Sequence, residues 1–357
     1  MKRRFALYFL AANVIGAVFL WLAARELPFG QVRVYLRETS LSHLLIWSLV
    51  FMAIYAVCHL ARVVRWSYLV RPLGDVDLGT VHRASAVGFA GILLLPLRLG
   101  EFVRPALLSR RSELNVSGLL ATAVVERVID GLLVTGVLFV TLLTYSGGQE
   151  TGFARTIGWM SAAIFVPALT ICLLALWRRS WALGLIETLG RPVSPRLADW
   201  AVELLDDFID GFRVLSHGGY LGRFLLMTAL YWGVNVLSMW VLARFGFGFD
   251  VSPWDITTVI AILVIGIMIP AGPALAGNFE YFMKEGLELF LSVEAVGGKM
   301  AVFGALVHIL QFVVIVIPGI WVMWTDPTAR HLLSLAWYGQ EEVDSHDSEP
   351  DTDSISE

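Results

Sequence analysis

Six long apolar runs divide the chain, and each is long enough to cross a membrane as a helix. A bilayer core about 30 Å thick needs about 20 apolar residues per helical crossing. The runs lie at residues 5–24, 42–64, 117–144, 156–177, 222–244 and 300–324. This pattern predicts an all-α polytopic membrane protein with about six full crossings.

Two further apolar stretches are too short or too interrupted to cross cleanly. The first has only fourteen residues from Ala84 to Leu97 before Arg98, and the second covers 256–293. Each consists of an apolar arm, a proline, a glycine-bearing break, then a carboxylate and a second arm. The breaks contain Pro96 and Gly100 in the first stretch and Pro270, Pro273 and Gly277 in the second.

Irregular backbone at membrane depth is tolerated only where protein buries it or where it lines a watery cavity. Both stretches are therefore predicted to be re-entrant helical hairpins that point inward from opposite faces of the membrane. Opposed broken hairpins are typical of an inverted repeat with a binding site near the midplane. An alternative for 256–293 is that its two halves are full crossings, which leaves the overall topology unchanged.

The distribution of basic residues gives the orientation. With six crossings and a cytoplasmic amino end, the cytoplasmic segments hold eighteen Lys and Arg and the outer segments hold five. This bias satisfies the positive-inside rule. It predicts a multi-pass protein of the cytoplasmic (inner) membrane with both termini in the cytoplasm.

Composition supports a membrane protein, since 57% of the 357 residues are hydrophobic, 16% are charged and the mean hydropathy is +0.72. Several tryptophans, including Trp66, lie near the ends of the apolar runs, where an indole suits the interface. We expect one transmembrane domain over 1–330, with an amphipathic cytoplasmic interfacial helix at 195–215. Residues 331–357 are acidic and are predicted to be disordered.

The run at 117–144 carries three charges within about one helical turn, Glu126, Arg127 and Asp130. Charges in a membrane helix are costly when they face lipid, so these side chains are predicted to face the bundle interior. Glu126 and Asp130 are four residues apart and share one face, so they need positive partners from elsewhere. The candidate partners are Arg98 and Arg104 of the first hairpin and Lys284 of the second.

These charges lead to the hypothesis of an interior polar cavity. The break at Pro96 and Gly100 would let Arg98, Glu101 and Arg104 project into it. A cavity lined by arginines suits an anionic head group, because guanidinium binds phosphate oxygens through a planar fork. The alternative is that the charges only pair with one another and lock the helices together.

Other classes of chemistry find little support. The chain has no GxGxxG, Walker, GxSxG or HExxH motif and no basic, aromatic surface typical of nucleic-acid binding. Cys58 and Cys172 lie in different apolar runs without metal-ligand spacing. We expect no metal, no cofactor and no nucleic-acid partner.

Four segments together resemble a known family. They are "RWSYLVRPLG", "LLLPLRLGEFVRPALLSRR", "ATAVVERVIDGLLV" and "IPAGPALAGNFEYFMKEG". The family is the flippase-like transmembrane family, which comprises the membrane region of lysylphosphatidylglycerol synthases and their stand-alone relatives. The resemblance covers about residues 5–325. It implies translocation of a lipid between leaflets, with cargoes that range from aminoacylated phospholipids to polyprenyl-linked or other glycolipids.

The resemblance also assigns candidate residues. The family's three motifs match Pro96, Arg98, Gly100, Glu101 and Arg104; Glu126, Arg127 and Asp130; and Pro273, Gly277 and Glu280. With Lys284, the charged members form the predicted translocation site. The chain departs from the family where Ala274 and Leu275 replace a usual double glycine and where His308 replaces a common arginine.

The favoured function is therefore a lipid flippase or transporter for an anionic or glycosylated lipid, rather than an enzyme. Two alternatives stay open: an intramembrane enzyme that acts on a lipid phosphate, with Glu101 or Glu126 as general base, and a non-transporting cell-envelope scaffold. The expected partner is a membrane lipid with an anionic head group. A second copy of the chain and an envelope-biosynthesis protein are further candidates. Lysine transfer is not expected, since the synthase's soluble domain does not fit after residue 325.

Overall fold

The structure, a computed structural model, describes residues 2–25, 28–95, 98–144, 152–192, 218–269 and 272–328, together with residues 194, 195, 199, 202, 206 and 330. All regular elements in these ranges are helical. They are α1 (Lys2–Arg25), α2 (Phe29–Glu38), α3 (Leu41–Val70), α4 (Leu78–Leu94), α5 (Gly100–Ser109), α6 (Val116–Thr144), α7 (Gly152–Trp177), α8 (Arg179–Gly190), α9 (Gly218–Val241), α10 (Pro253–Met268), α11 (Asn278–Glu288) and α12 (Val293–Thr325). Short 3-10 turns lie at Arg71–Leu73 and Pro273–Leu275, and a π-turn follows α9 at Leu242–Gly246.

Three helical stretches are long and apolar enough to cross a membrane, namely Leu41–Leu73, Gly219–Gly246 and Val293–Thr325. At 1.5 Å per residue, the 33 residues of α12 span about 50 Å, more than the hydrocarbon core. The six predicted apolar runs fall in α1, α3, α6, α7, α9 and α12. The all-helical membrane class is thereby confirmed, and the number of crossings stays a prediction.

Helix α3 continues beyond the predicted end of its apolar run. The run ended at residue 64, whereas the helix ends at Val70. Trp66, which was placed near the interface, is fully buried, and its indole N–H donates a 3.0 Å hydrogen bond to Thr122 Oγ1. The last two turns of α3 thus pack against other helices, and the depth of Trp66 in the membrane stays a prediction.

Helices α4 and α5 form the first hairpin. Their 17 and 10 residues span about 25 and 15 Å, less than a bilayer core. Gly100, the first residue of α5, lies against Gly91 of α4, and a Cβ atom at Gly100 would overlap the backbone of α4. A glycine is required there for the two arms to pack so closely. Pro96 lies outside the described residues.

Helices α10 and α11 form the second hairpin, with Gly266 of α10 packed against the Phe282 ring of α11. The break includes the 3-10 turn Pro273–Leu275 and then Gly277, whose φ of 90° is a left-handed conformation that favours glycine. Gly277 also lies against the backbone of α1 at Gly16, where a side chain would overlap. Pro270 lies outside the described residues.

The two breaks have the same sequence pattern, P-x-x-x-G-x-F, from Pro96 to Phe102 and from Pro273 to Phe279. The third residue of each pattern is left-handed, with φ of 58° at both Arg98 and Leu275. In both patterns the glycine adjoins the start of the second arm. The equal spacing and backbone conformation indicate that the hairpins are structural equivalents.

The two halves of the chain pack their helices in the same order. In the first half α3 contacts α4 and α5 contacts α6, and in the second half α9 contacts α10 and α11 contacts α12. Across the halves, α4 packs on α12 and α10 packs on α6. Helices α3 and α9 are antiparallel, because His43 bonds Gly246 O at 2.9 Å while Cys58 lies 3.6 Å from Tyr231 O. The inverted repeat itself stays a prediction.

Two predicted segments cannot be compared with the structure. The interfacial helix at 195–215 lies mostly outside the described residues, and the acidic tail at 331–357 lies entirely outside them. Their predicted roles and the domain boundary at 330 stay predictions.

Candidate functional site

The acidic face of α6 is held by an arginine from α3. Arg65 donates from Nη2 to Glu126 Oε1 at 2.5 Å and from Nη1 to Asp130 Oδ1 at 2.6 Å. Arg65 and Glu126 are fully buried and Asp130 nearly so. As predicted, Glu126 and Asp130 share one face of the helix and point inward, and one guanidinium contacts both.

Arg104 of α5 supplies the second partner of Glu126, through Oε2. Its guanidinium also lies 3.9 Å from the centroid of the Trp66 ring, a cation–π contact. Arg104 was one of three candidate partners for the α6 acids. Lys284 was another, but its Nζ instead lies 2.9 Å from Glu288 Oε1 on its own helix.

Arg98, the third candidate, contacts neither α6 acid. Its Nη2 donates to Glu101 Oε1 at 2.7 Å, and its Nη1 donates to the carbonyl oxygen of Ile267 at 2.6 Å. Ile267 belongs to the last turn of α10, so Arg98 joins the breaks of the two hairpins. Arg98 thus contacts the backbone of the opposite hairpin and not the buried carboxylates of α6.

A central cavity of about 120 Å³ lies between the hairpins and α3, α6, α9 and α12. This volume holds about four water molecules, at the ~30 Å³ that each occupies in the liquid. The polar residues of its wall are Tyr55, Arg62, Arg98, Arg127, Asp130, Tyr231, Trp232, Asn235, His308 and Gln311. The remaining wall is apolar, with residues such as Phe89, Leu263 and Phe312.

The cavity wall has an excess of positive charge. Among the described residues, the wall contains the guanidinium groups of Arg62, Arg98 and Arg127 and one carboxylate, Asp130, which Arg65 already binds. Arg62 and Arg127 form no salt bridge with any residue that the structure describes. Arg62 lies 3.9 Å from the Phe89 ring centroid, and its Nε is buried without a hydrogen-bond partner there. Neither guanidinium is thus held in a close ion pair by these residues, so both can bind an anion in the cavity.

A groove of about 110 Å³ lies beside the central cavity, between α5 and α6. Its wall includes Glu101, Arg104, Glu126 and Arg127, and Arg127 belongs to both walls. Phe102, also in the groove wall, is 61% exposed, so the groove opens at the outer surface of the bundle. Arg127 therefore lies between the central cavity and a lateral opening.

Two predicted site residues, Glu280 and Lys284, lie in a third cavity of about 130 Å³. This cavity is formed by α11, α12 and the end of α1 and is mostly apolar. Glu280 Oε1 lies 2.6 Å from His308 Nδ1, and His308 belongs to the central cavity. Glu280 is thus one contact away from the central site, whereas the structure does not bring Lys284 to it.

Sequence reasoning missed Arg62 and Arg65. Arg62 lies at the edge of the apolar run that was ended at residue 64, and Arg65 follows that run. The charge count assigned both to the cytoplasmic segment. The signal that could have found them is the spacing Arg-x-x-Arg followed directly by "WSYLV", which continues the apolar helix past both arginines. Charges inside a continuous apolar helix need an interior partner.

The described residues offer no obvious metal site. No group of three or more His, Cys, Asp or Glu side chains in this part of the chain is placed to hold a metal ion. Cys58 is a buried free thiol that contacts the backbone of Tyr231. The charged groups of the central cavity are instead mostly guanidinium donors, which suit an anion.

The fold and the cavity together define a polytopic helical membrane protein with an internal site rich in guanidinium groups. The chain belongs to the family described as the lysylphosphatidylglycerol synthase TM region, whose model matches residues 9–319. The resemblance predicted from the sequence is confirmed. The family is that of a membrane region, and its name ties the chain to membrane lipids.

Among curated proteins, the chain is similar to glycosyltransferase AglD of Haloferax volcanii. The two are 24% identical over 254 residues, which covers 64% of this chain and 40% of the relative. The chain therefore spans well under two thirds of that relative's length. No solved structure matches the chain significantly.

Proposed function

We propose that the chain moves a lipid with an anionic head group between the leaflets of the cytoplasmic membrane. The observation that carries this proposal is the cluster of Arg62, Arg98 and Arg127 around an internal cavity whose single carboxylate is already paired. Guanidinium groups stay charged and bind phosphate oxygens in a planar fork, so the cluster suits a lipid phosphate.

The shape of the site supports movement of a lipid rather than capture of a soluble anion. The rest of the cavity wall is apolar, and the groove between α5 and α6 leads from Arg127 to the outer surface of the bundle. A head group in the cavity could keep its hydrocarbon chain in this groove, in contact with the bilayer. Sites between two opposed broken hairpins are typical of transporters that expose them alternately to the two sides.

Reconstituted vesicles with fluorescent lipids test the proposal. The lipids should include an acidic phospholipid, a polyprenyl-phosphate sugar and a zwitterionic phospholipid. The sugar lipid is included because the curated relative is named a glycosyltransferase. We expect the protein to speed the leaflet exchange of one or both anionic lipids and to leave them chemically unchanged. Altered lipid would instead support an enzyme, and neither exchange nor alteration would support a scaffold.

The double variant Arg62→Gln, Arg127→Gln connects this assay with the site. It removes the two guanidinium groups of the cavity that form no salt bridge with the described residues and keeps the polar wall, so exchange of the anionic lipid should fall to the rate of empty vesicles. Arg244→Gln is the matched control, because Arg244 pairs at 2.5 Å with Asp250, whose side chain is 98% exposed. Normal exchange in the double variant would remove both arginines from the mechanism.

A further inference from the structure

A carboxylate and an imidazole join the second hairpin to α12. Glu280, in the first turn of α11, lies with Oε1 2.6 Å from His308 Nδ1, and its Oε2 accepts the Gly277 N–H at 2.8 Å. The other ring nitrogen, His308 Nε2, lies 2.7 Å from the carbonyl oxygen of Ala274. The Phe279 ring stacks on the imidazole with centroids 4.2 Å apart. His308 is thereby held at both nitrogens by the hairpin break.

These contacts require an additional proton. The carbonyl of Ala274 is only an acceptor, so His308 Nε2 must carry a hydrogen. The 2.6 Å contact with Glu280 then needs a second hydrogen, either on His308 Nδ1 or on the carboxyl group. Imidazolium with carboxylate and neutral imidazole with carboxylic acid both satisfy this requirement. The pair therefore holds one proton more than neutral imidazole and free carboxylate together.

The position of the pair gives this proton a route. His308 lies in the wall of the central cavity, and Glu280 lies in the wall of the third cavity beside α1. The short contact between them thus crosses the partition between the two cavities. A proton that enters on one side can leave on the other when the carboxyl and imidazole exchange it.

We propose that Glu280 and His308 form a proton-binding site whose loading holds the second hairpin against α12 and whose unloading releases it. Loss of the proton leaves one lone pair facing another, either between His308 Nδ1 and Glu280 or between Nε2 and the Ala274 carbonyl. One of the two links from α12 to the break is then lost. Since Arg98 binds the same hairpin at Ile267, release changes the contact between the two breaks.

The neighbouring charges favour exchange of this proton rather than its permanent retention. The wall of the central cavity contains Arg62, Arg98 and Arg127 together with His308, and Asp130 in the same wall is already paired to Arg65. These cations favour release of the proton toward the other cavity. On the Glu280 side, the charged groups of the wall are Lys284 and Glu288, which contact each other at 2.9 Å. Arrival of an anionic head group in the central cavity would offset the arginines and favour reloading.

Proton binding can be measured without any lipid transport. Protein with isotopically labelled histidine, in lipid nanodiscs, is titrated by nuclear magnetic resonance, and His308 is assigned from the signal lost in His308→Gln. The Glu280 carboxyl is followed by infrared spectroscopy and assigned with Glu280→Gln. We expect both groups to change in one shared step that Glu280→Gln abolishes and His82→Gln leaves intact. His308 titration unaffected by Glu280→Gln, or no titration at either group, would overturn the proposal.

The consequence for transport rests on the proposed lipid movement and is tested separately. A pH gradient across the vesicles should drive net accumulation of the anionic lipid in one leaflet for the unmodified protein. His308→Arg keeps two N–H donors and a permanent charge, so the hairpin should stay held against α12, and exchange should slow and lose any dependence on the gradient. If the unmodified protein exchanges lipid but ignores the gradient, the coupling is wrong. If no lipid moves, the proposed function fails, and the titration alone decides the proton site.

Discussion

Arg98 of the first hairpin donates a 2.6 Å hydrogen bond to the carbonyl oxygen of Ile267 in the second hairpin. This bond joins two breaks that lie about 170 residues apart in sequence. Arg98 makes it from a left-handed backbone, with φ of 58°, which costs a residue other than glycine about 1–2 kcal/mol. A residue kept in a costly backbone conformation points to a function for that residue.

Arg98→Lys tests that function. Lysine keeps the positive charge, but its single ammonium cannot reproduce the planar fork that binds Glu101 and Ile267 at once. Loss of one charge-assisted bond is worth about 1.5–3 kcal/mol, so lipid exchange should fall about tenfold or more. Arg110→Lys, at an exposed position just after α5, is the control. Equal exchange rates in the two variants would show that charge alone suffices at residue 98.

Glu126→Gln should act on stability. The carboxylate of Glu126 lies between Arg65 and Arg104, and all three side chains are buried. Removing one member of a buried ion pair leaves uncompensated charge and costs about 3–5 kcal/mol. We expect a clear fall in the Tm of the purified protein. Glu187→Gln, which removes a half-exposed partner of Arg191, should change Tm little, and an equal fall in both would contradict the argument.

The opposite stability effect is expected at Arg62. It forms no salt bridge with the described residues, and its Nε is buried without a hydrogen-bond partner among them, so the guanidinium bears its desolvation cost without a close counter-ion. Arg62→Gln should therefore keep or raise Tm while it removes lipid exchange, the usual trade-off between stability and function at a binding site. Paired Tm and exchange measurements check this. A fall in Tm as large as that of Glu126→Gln would mean that Arg62 is structural.

The helices could be predicted well because each depends on local pattern. An apolar run of about 20 residues specifies a membrane helix, and proline with glycine inside a shorter run specifies a break. The shared spacing from Pro96 to Phe102 and from Pro273 to Phe279 is likewise present in the sequence. What local pattern does not give is which residues are buried between helices, as Trp66 is beside Thr122 of α6.

The site could be predicted only in part, for the same reason. Glu126 and Asp130 were expected to face inward because of their cost in lipid. Their main partner, Arg65, lies 61 and 65 residues away, and only the packing of α3 on α6 brings it there. Lys284 was equally plausible by charge, but it pairs with Glu288 one turn along α11. Pairing among buried charges depends on tertiary contacts that no single-helix pattern contains.

Ala274→Gly should stabilise the second hairpin. Ala274 has φ of 61°, and the resemblance to the family places a glycine at this position. Glycine adopts this conformation without the Cβ clash, and the change keeps the carbonyl that faces His308, so the gain should be about 1 kcal/mol. Ala276→Gly is the matched control, because φ of −58° there gives no strain to relieve. A higher Tm in the control than in Ala274→Gly would show that backbone strain is not the cause.

Membrane orientation can be tested with single cysteines in a cysteine-free background and a membrane-impermeant reagent. Asp75 and Glu113, exposed on either side of the first hairpin, should react from the cytoplasmic side. Asp250 and Glu294, exposed on either side of the second, should react from outside. This result follows from the bias of basic residues toward the cytoplasm, and the reverse labelling would overturn the orientation with both termini inside.

A cysteine at Leu99 separates a re-entrant hairpin from two full crossings. Leu99 lies at the break, and α4 and α5 are shorter than a bilayer core is thick, so the break should stop near the midplane. Reagent from outside should then fail to reach Leu99→Cys, whereas Asp250→Cys in the same preparation reacts. Rapid labelling of Leu99→Cys from outside would mean that the first hairpin crosses the membrane twice. The central cavity would then no longer lie between two hairpins that each span half of the membrane.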